Sequence, residues 1–160
     1  MKKLKIECHI NAFESLDELP KNIQELMHNA HVARLKAHAP YSNFLVGAAL
    51  ELSNGEIISG NNQENAAYPS GLCAERTAVF YAHSKYPNET ILRMAISAGS
   101  TYKKTSTPIP PCGGCRQALM EYETLQDTPI ELYFMGTEGP IAHSASIENI
   151  LPLIFDKSVL

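Results

Sequence analysis

The chain has little that would carry it to a membrane or a nucleic acid. Nothing in its 160 residues forms an apolar run long enough for a secretion signal or a membrane span. No basic run exceeds the length of Lys103-Lys104, and 13 basic against 17 acidic residues leave a net charge of −4. A protein that tracks a phosphate backbone shows a basic stripe. Its absence points to a small neutral substrate, with neither nucleic acid nor membrane as partner. Internal repeats, low-complexity tracts and linker-like stretches are also missing, so one domain is expected, long enough to bury a core without disulfide staples. The four cysteines then fit a reducing, cytoplasmic setting in which they serve as thiols or ligands.

Three of those cysteines stand in two short segments, Cys73-Ala74-Glu75-Arg76 and Pro111-Cys112-Gly113-Gly114-Cys115-Arg116-Gln117. Cys73, Cys112 and Cys115 offer soft thiolate ligands that suit zinc, one ion per chain. Three protein ligands leave the fourth tetrahedral position open for water. A closed structural site needs a fourth ligand, and no histidine lies at ligand spacing beside either segment. Glu75, two residues past Cys73, is placed beside that water and not on the metal, a general-base position. Both segments read as helix starts, whose dipoles and free N–H groups favour thiolates. Arg76 and Arg116 are the candidate charge-balancing groups. A redox-active or merely buried Cys-x-x-Cys is the alternative reading of the same cysteines, and a structural zinc module for protein binding is another.

The cysteine, the glutamate two residues on and the Pro-Cys-x-x-Cys segment follow the pattern of zinc deaminases. With Pro40 to Ala49 (PYSNFLVGAA) and Gly60 to Ala78 (GNNQENAAYPSGLCAERTA), they closely resemble the small, tetrameric cytidine deaminases, over about residues 38–155. The resemblance implies a three-layer α/β/α fold with a mixed five-stranded sheet. It implies hydrolytic deamination of cytidine and 2′-deoxycytidine in pyrimidine salvage, with Glu75 catalytic. By the same resemblance Asn62 and Glu64 bind the ribose, Phe44 packs on the pyrimidine, Ala66 touches the base through its backbone, and Phe155 reaches a neighbour's site in a homotetramer. Leu45, Asn61 and Gln63 depart from the usual residues, and the last two flank Asn62. Deamination of a related cytosine nucleoside, such as a nucleoside antibiotic, stays open as a variant.

Around these segments the pattern predicts a domain over 19–160 preceded by an N-terminal strand or arm over 1–18. Leu4, Ile6, Cys8 and Ile10 alternate with polar residues in the period of a half-buried strand, which makes Cys8 a small core residue. Ile23, Leu26, Met27, Ala30 and Ala33 recur at helical spacing, predicting a helix from Pro20 to about Lys36, with His28, His31 and His38 as surface or packing residues. Asn54-Gly55 predicts a hairpin joining 46–52 to 56–59. A helix to about His83, a strand over 94–98, the Cys115 helix, strands over 130–135 and 141–143, and a short last helix over 147–151 complete the order. The loop over 100–110 is longer than its counterpart in typical members of the resembled family.

Overall fold

The computed structural model describes residues 1–160. The helical spacing after Pro20 becomes α1 (Lys21–Arg34), which buries Ile23, Leu26, Met27, Ala30 and Ala33 along one stripe. It ends two residues before the predicted Lys36, as the last turn tightens into the bonds from Lys36 N–H to Ala33 O and Ala37 N–H to Arg34 O. Asn54-Gly55 closes the hairpin between β2 (Phe44–Leu52) and β3 (Ile57–Asn61), with Gly55 at φ 84°. Then follow α2 (Ala74–Lys85), β4 (Ile91–Ser100), α3 (Gly113–Gln126), β5 (Glu131–Met135) and β6 (Ile141–Ser144). The predicted last helix is a single 3-10 turn, Glu148–Ile150, and the Ser146 hydroxyl accepts from Asn149 N–H at its start.

Only the β4–β5 pair is parallel; the other neighbours are antiparallel. Helix α1 covers one face, packing on Ala49, Ala95, Tyr133 and Met135. Helices α2 and α3 cover the other, over Leu50, Met94, Ile96, Leu132 and Phe134. The result is the expected three-layer α/β/α arrangement, each fully buried aliphatic or Met side chain contributing about 1.5–3 kcal/mol. Two glycines set how closely the helices approach. A Cβ on Gly47 would stand 2.1 Å from Ala30 O, and one on Gly60 would stand 2.6 Å from Ala78 N. Helix α1 therefore lies directly on β2, and α2 directly on β3.

The sheet has six strands in the order β1-β6-β5-β4-β2-β3, not the five expected. The additional strand is β1 (Asn11–Phe13), at the edge against β6, with Asn11 opposite His143 and Phe13 opposite Ile141. It does not occupy the alternating stretch from Leu4 to Ile10. All of residues 1–10 are exposed, Cys8 included, which corrects its reading as a core residue. The reason is the length of the neighbour: β6 has four residues and the chain then turns away, so nothing remains for residues 4–10 to pair with.

Candidate metal centre and pocket

Cys73 and Cys112 are the residues immediately before the first turns of α2 and α3, with extended backbones (φ −74°, ψ 155° and φ −66°, ψ 165°), and Cys115 follows in the first turn of α3. The three sulfurs lie within 4.8 Å of one another. Cys73 Sγ is 3.9 Å from Cys112 Sγ, which is 3.5 Å from Cys115 Sγ, and no disulfide joins them. Tetrahedral zinc with bonds of about 2.3 Å holds sulfurs about 3.8 Å apart, so the spacing fits the ion. The charge chemistry agrees. Cys115 and Arg76 hydrogen-bond to Cys73 and lower its thiol to about 5, against the cost of burial, while that thiolate and burial push the Cys115 thiol up. Ionising all three sulfurs so close together needs a cation between them.

Glu75 is 3% exposed, and its Oε2 is buried without a hydrogen-bond partner. Burial pushes its carboxyl above the ordinary carboxylate range. It lines the same cavity, of about 670 Å³, as Cys73 and Cys112, so a buried proton-accepting group faces the space next to the sulfur cluster. Arg76 reaches Cys73 Sγ at 3.8 Å. Arg116 is turned elsewhere: Nε donates to Pro111 O and Nη1 to Ile150 O, both at 3.0 Å, which clamps the start of α3 to the C-terminal segment.

Phe44, Asn62 and Glu64 line the cavity with Glu75; Ala66, Phe155 and Arg116 do not. Phe155 is 61% exposed, and its carbonyl accepts from Gln117 Nε2. Asn62 also serves the sheet, since its Oδ1 accepts from Val46 N–H at 2.8 Å and its Nδ2 donates to Phe44 O at 2.9 Å, extending the ladder where β3 ends. The Glu64 carboxylate accepts from Tyr41 N–H and from both the N–H and the hydroxyl of Ser42. The Ser42 hydroxyl leads among the causes that hold Glu64 below the usual carboxylate range. The same hydroxyl accepts from Phe44 N–H at 3.0 Å.

Sequence reasoning gave Ser42 no role, although the run Tyr41-Ser42-Asn43-Phe44 places a hydroxyl two residues before an aromatic, where serine commonly turns the chain. It also missed Ile109 and Pro110, which form one wall of the cavity. The long loop that carries them is pinned at Thr105, whose O accepts from Thr137 N–H at 2.7 Å and whose N–H donates to Thr137 Oγ1 at 2.9 Å.

Residues 20–128, which include all three sulfurs and Glu75, match the model of the cytidine and deoxycytidylate deaminase zinc-binding region. A cytidine deaminase of Halalkalibacterium halodurans is 39% identical over 132 residues, covering 82% of this chain and 92% of that relative. Among solved structures, a cytidine deaminase from Burkholderia pseudomallei superposes with a TM-score of 0.73 at 35% identity, over 86% of this chain and 100% of that one. One from Mycobacterium tuberculosis superposes with a TM-score of 0.65 at 30% identity, over 85% and 98%. With the thiolate cluster and the buried glutamate in the matched region, the chain belongs to the cytidine and deoxycytidylate deaminase family.

Proposed function

We propose that this protein hydrolyses cytidine and 2′-deoxycytidine to uridine and 2′-deoxyuridine, consuming water and releasing ammonia. The observation that carries the reading is the unpartnered, buried oxygen of Glu75, a residue that lines the same cavity as Cys73 and Cys112. Cys73, Cys112 and Cys115 hold the zinc, whose Lewis acidity supplies a water reactive enough to attack at neutral pH. Glu75 takes a proton from the attacking water and gives it to ring nitrogen three; it then takes the second proton from the hydroxyl added at carbon four and gives it to the departing amine, leaving the carbonyl of uridine and free ammonia. Its depth in the protein keeps bulk water from competing for that proton. Arg76 offsets thiolate charge by contact, and Arg116 does so from behind the α3 start while holding it in place.

Phe44 packs on the pyrimidine, and the backbone at Ala66 meets its edge. Glu64 accepts from a sugar hydroxyl with the acceptor capacity that Tyr41 and Ser42 leave free, and Asn62 donates its second amide hydrogen to the ribose. The mouth of the cavity is rimmed by exposed aromatics, Tyr41 at 53% and Tyr68 at 76%, and Phe155 is exposed as well. Such a surface supports a homotetramer in which Phe155 completes a neighbour's site, and light scattering on the purified protein tests it. No helix is long and apolar enough to cross a membrane. The free thiols support a cytoplasmic setting, and residues 1–18 are read as an arm added to a deaminase domain of 19–160. The decisive assay follows the loss of cytosine absorbance for cytidine, 2′-deoxycytidine and sugar-modified cytosine nucleosides, before and after zinc removal. Full turnover by metal-free protein would overturn the reading.

A further inference from the structure

The N-terminal segment carries a strand pattern for which its own chain supplies no partner. Leu4 is 81% exposed, Ile6 53% and Ile10 41%. No backbone group of residues 1–8 is hydrogen-bonded within the chain, and the segment is first held at His9, whose N–H and O pair with the side-chain amide of Asn149 at 2.9 and 2.8 Å. Unpaired backbone next to a sheet edge is a template for another strand. Beside it, Ile6 and Glu7 line a groove with Leu151, Pro152, Leu153 and Ile154.

We propose that residues 4–8 pair antiparallel with the same residues of a second copy of this chain, with Ile6 on the two-fold axis. In that register Ile6 opposes Ile6, Leu4 opposes Cys8 on the same apolar face, and Lys5 opposes Glu7 twice, once in each direction. Opposite charges across a ladder stabilise it and like charges destabilise it. The alternatives are worse on charge or on polarity. A ribbon centred on Glu7 sets Glu7 against Glu7, one centred on Lys5 sets Lys5 against Lys5, and a shift by one residue sets apolar against polar side chains. Within one chain Lys5 and Glu7 already form an exposed ion pair, which the second copy would exchange for two cross-strand pairs. The interface is isologous, as a two-fold requires. The groove beside Ile6 receives the partner's apolar side chains, and the catalytic reading plays no part in the argument.

Cysteine cross-linking tests the register in the full-length, zinc-loaded protein carrying Cys8→Ser. Across the axis, Ile6→Cys sets two Cα atoms about 4.5–5.5 Å apart, inside disulfide range. Glu7→Cys sets them about 8 Å apart, outside it. With oxidised glutathione, Ile6→Cys should yield mostly a covalent pair of twice 17.6 kDa on a non-reducing gel, and Glu7→Cys little or none. Adding Lys5→Glu to Ile6→Cys should cut the yield several-fold. Mixing that protein with one carrying Ile6→Cys and Glu7→Lys should restore it, since each chain then opposes the other's charge. Failure of Ile6→Cys to cross-link, equal yields from both positions, or no rescue on mixing would overturn the proposal.

Discussion

Replacing Glu75 by glutamine should move activity and stability in opposite directions. The side chain keeps its shape, but the amide cannot take a proton from water, so the acid–base contribution of about 10²–10⁴-fold in rate is lost. That corresponds to about 2.7–5.5 kcal/mol of barrier. In the folded protein the carboxylate is 3% exposed with an oxygen that has no partner, and a buried unsatisfied polar atom costs about 1–3 kcal/mol, more when charged. A neutral amide lowers that cost, by about 1 kcal/mol if only part of it is recovered. For a chain of 160 residues this raises the melting temperature by about 2–4 °C. The sulfurs are untouched, so zinc content should stay at one per chain. Absorbance kinetics with cytidine, metal analysis and calorimetry on the same preparation give the three readouts. Near wild-type turnover would place the proton shuttle elsewhere, and zinc lost together with activity would make Glu75 a ligand or a structural support.

Cys115→Ser should lower zinc content well below one per chain and abolish turnover, because two thiolates and a hydroxyl hold zinc poorly; a metal-indicator titration reads this directly. Glu123→Ala should destabilise the fold by about 3 kcal/mol or more, since it orphans the N–H groups of Ile130, Ile147 and Glu148, bonded at 2.7, 2.8 and 2.9 Å. A melting temperature within a degree of wild type would contradict that. Cytidine 3′-monophosphate should show a specificity constant several-fold below that of cytidine, as a phosphate meets the Glu64 carboxylate at an exposed rim where water screens the repulsion. Equal constants would remove Glu64 from the sugar site.

The metal centre was legible because its information is local and chemical. Thiolates choose zinc, spacing places them at helix starts, and Glu75 falls two residues from a ligand. The stripe from Ile23 to Ala33 was legible for the same kind of reason, one residue type at one period. What could not be read depends on the far partner. The alternation from Leu4 to Ile10 announces a strand, yet a strand exists only where another backbone lies alongside, and β6 reaches only Asn11–Phe13. Glu123 joins the start of β5 to the C-terminal turn across separations that no window reveals. Asn62 looked like a sugar ligand, and most of its bonding is spent on the backbone of β2.

The fold explains why the thiolate cluster sits where it does. Three thiolates and a divalent ion leave a single negative charge, which the protein must offset without closing the open ligand position. Cys73 and Cys112 both stand at helix N-termini, where free N–H groups and the dipole favour negative charge by a few tenths to about 1 kcal/mol each. Gly60 lets α2 settle on β3, which brings the first of those termini against the sheet; the clamp from Arg116 to Ile150 O fixes the second. Of the two arginines only Arg76 touches a sulfur, that of Cys73. Glu75, with its unpartnered oxygen, lines the same cavity as Arg76. The two helix ends and the Arg76 guanidinium are thus the positive partners that stand against the cluster, and Arg76 does so from the wall of the cavity that Cys73, Glu75 and Cys112 also line.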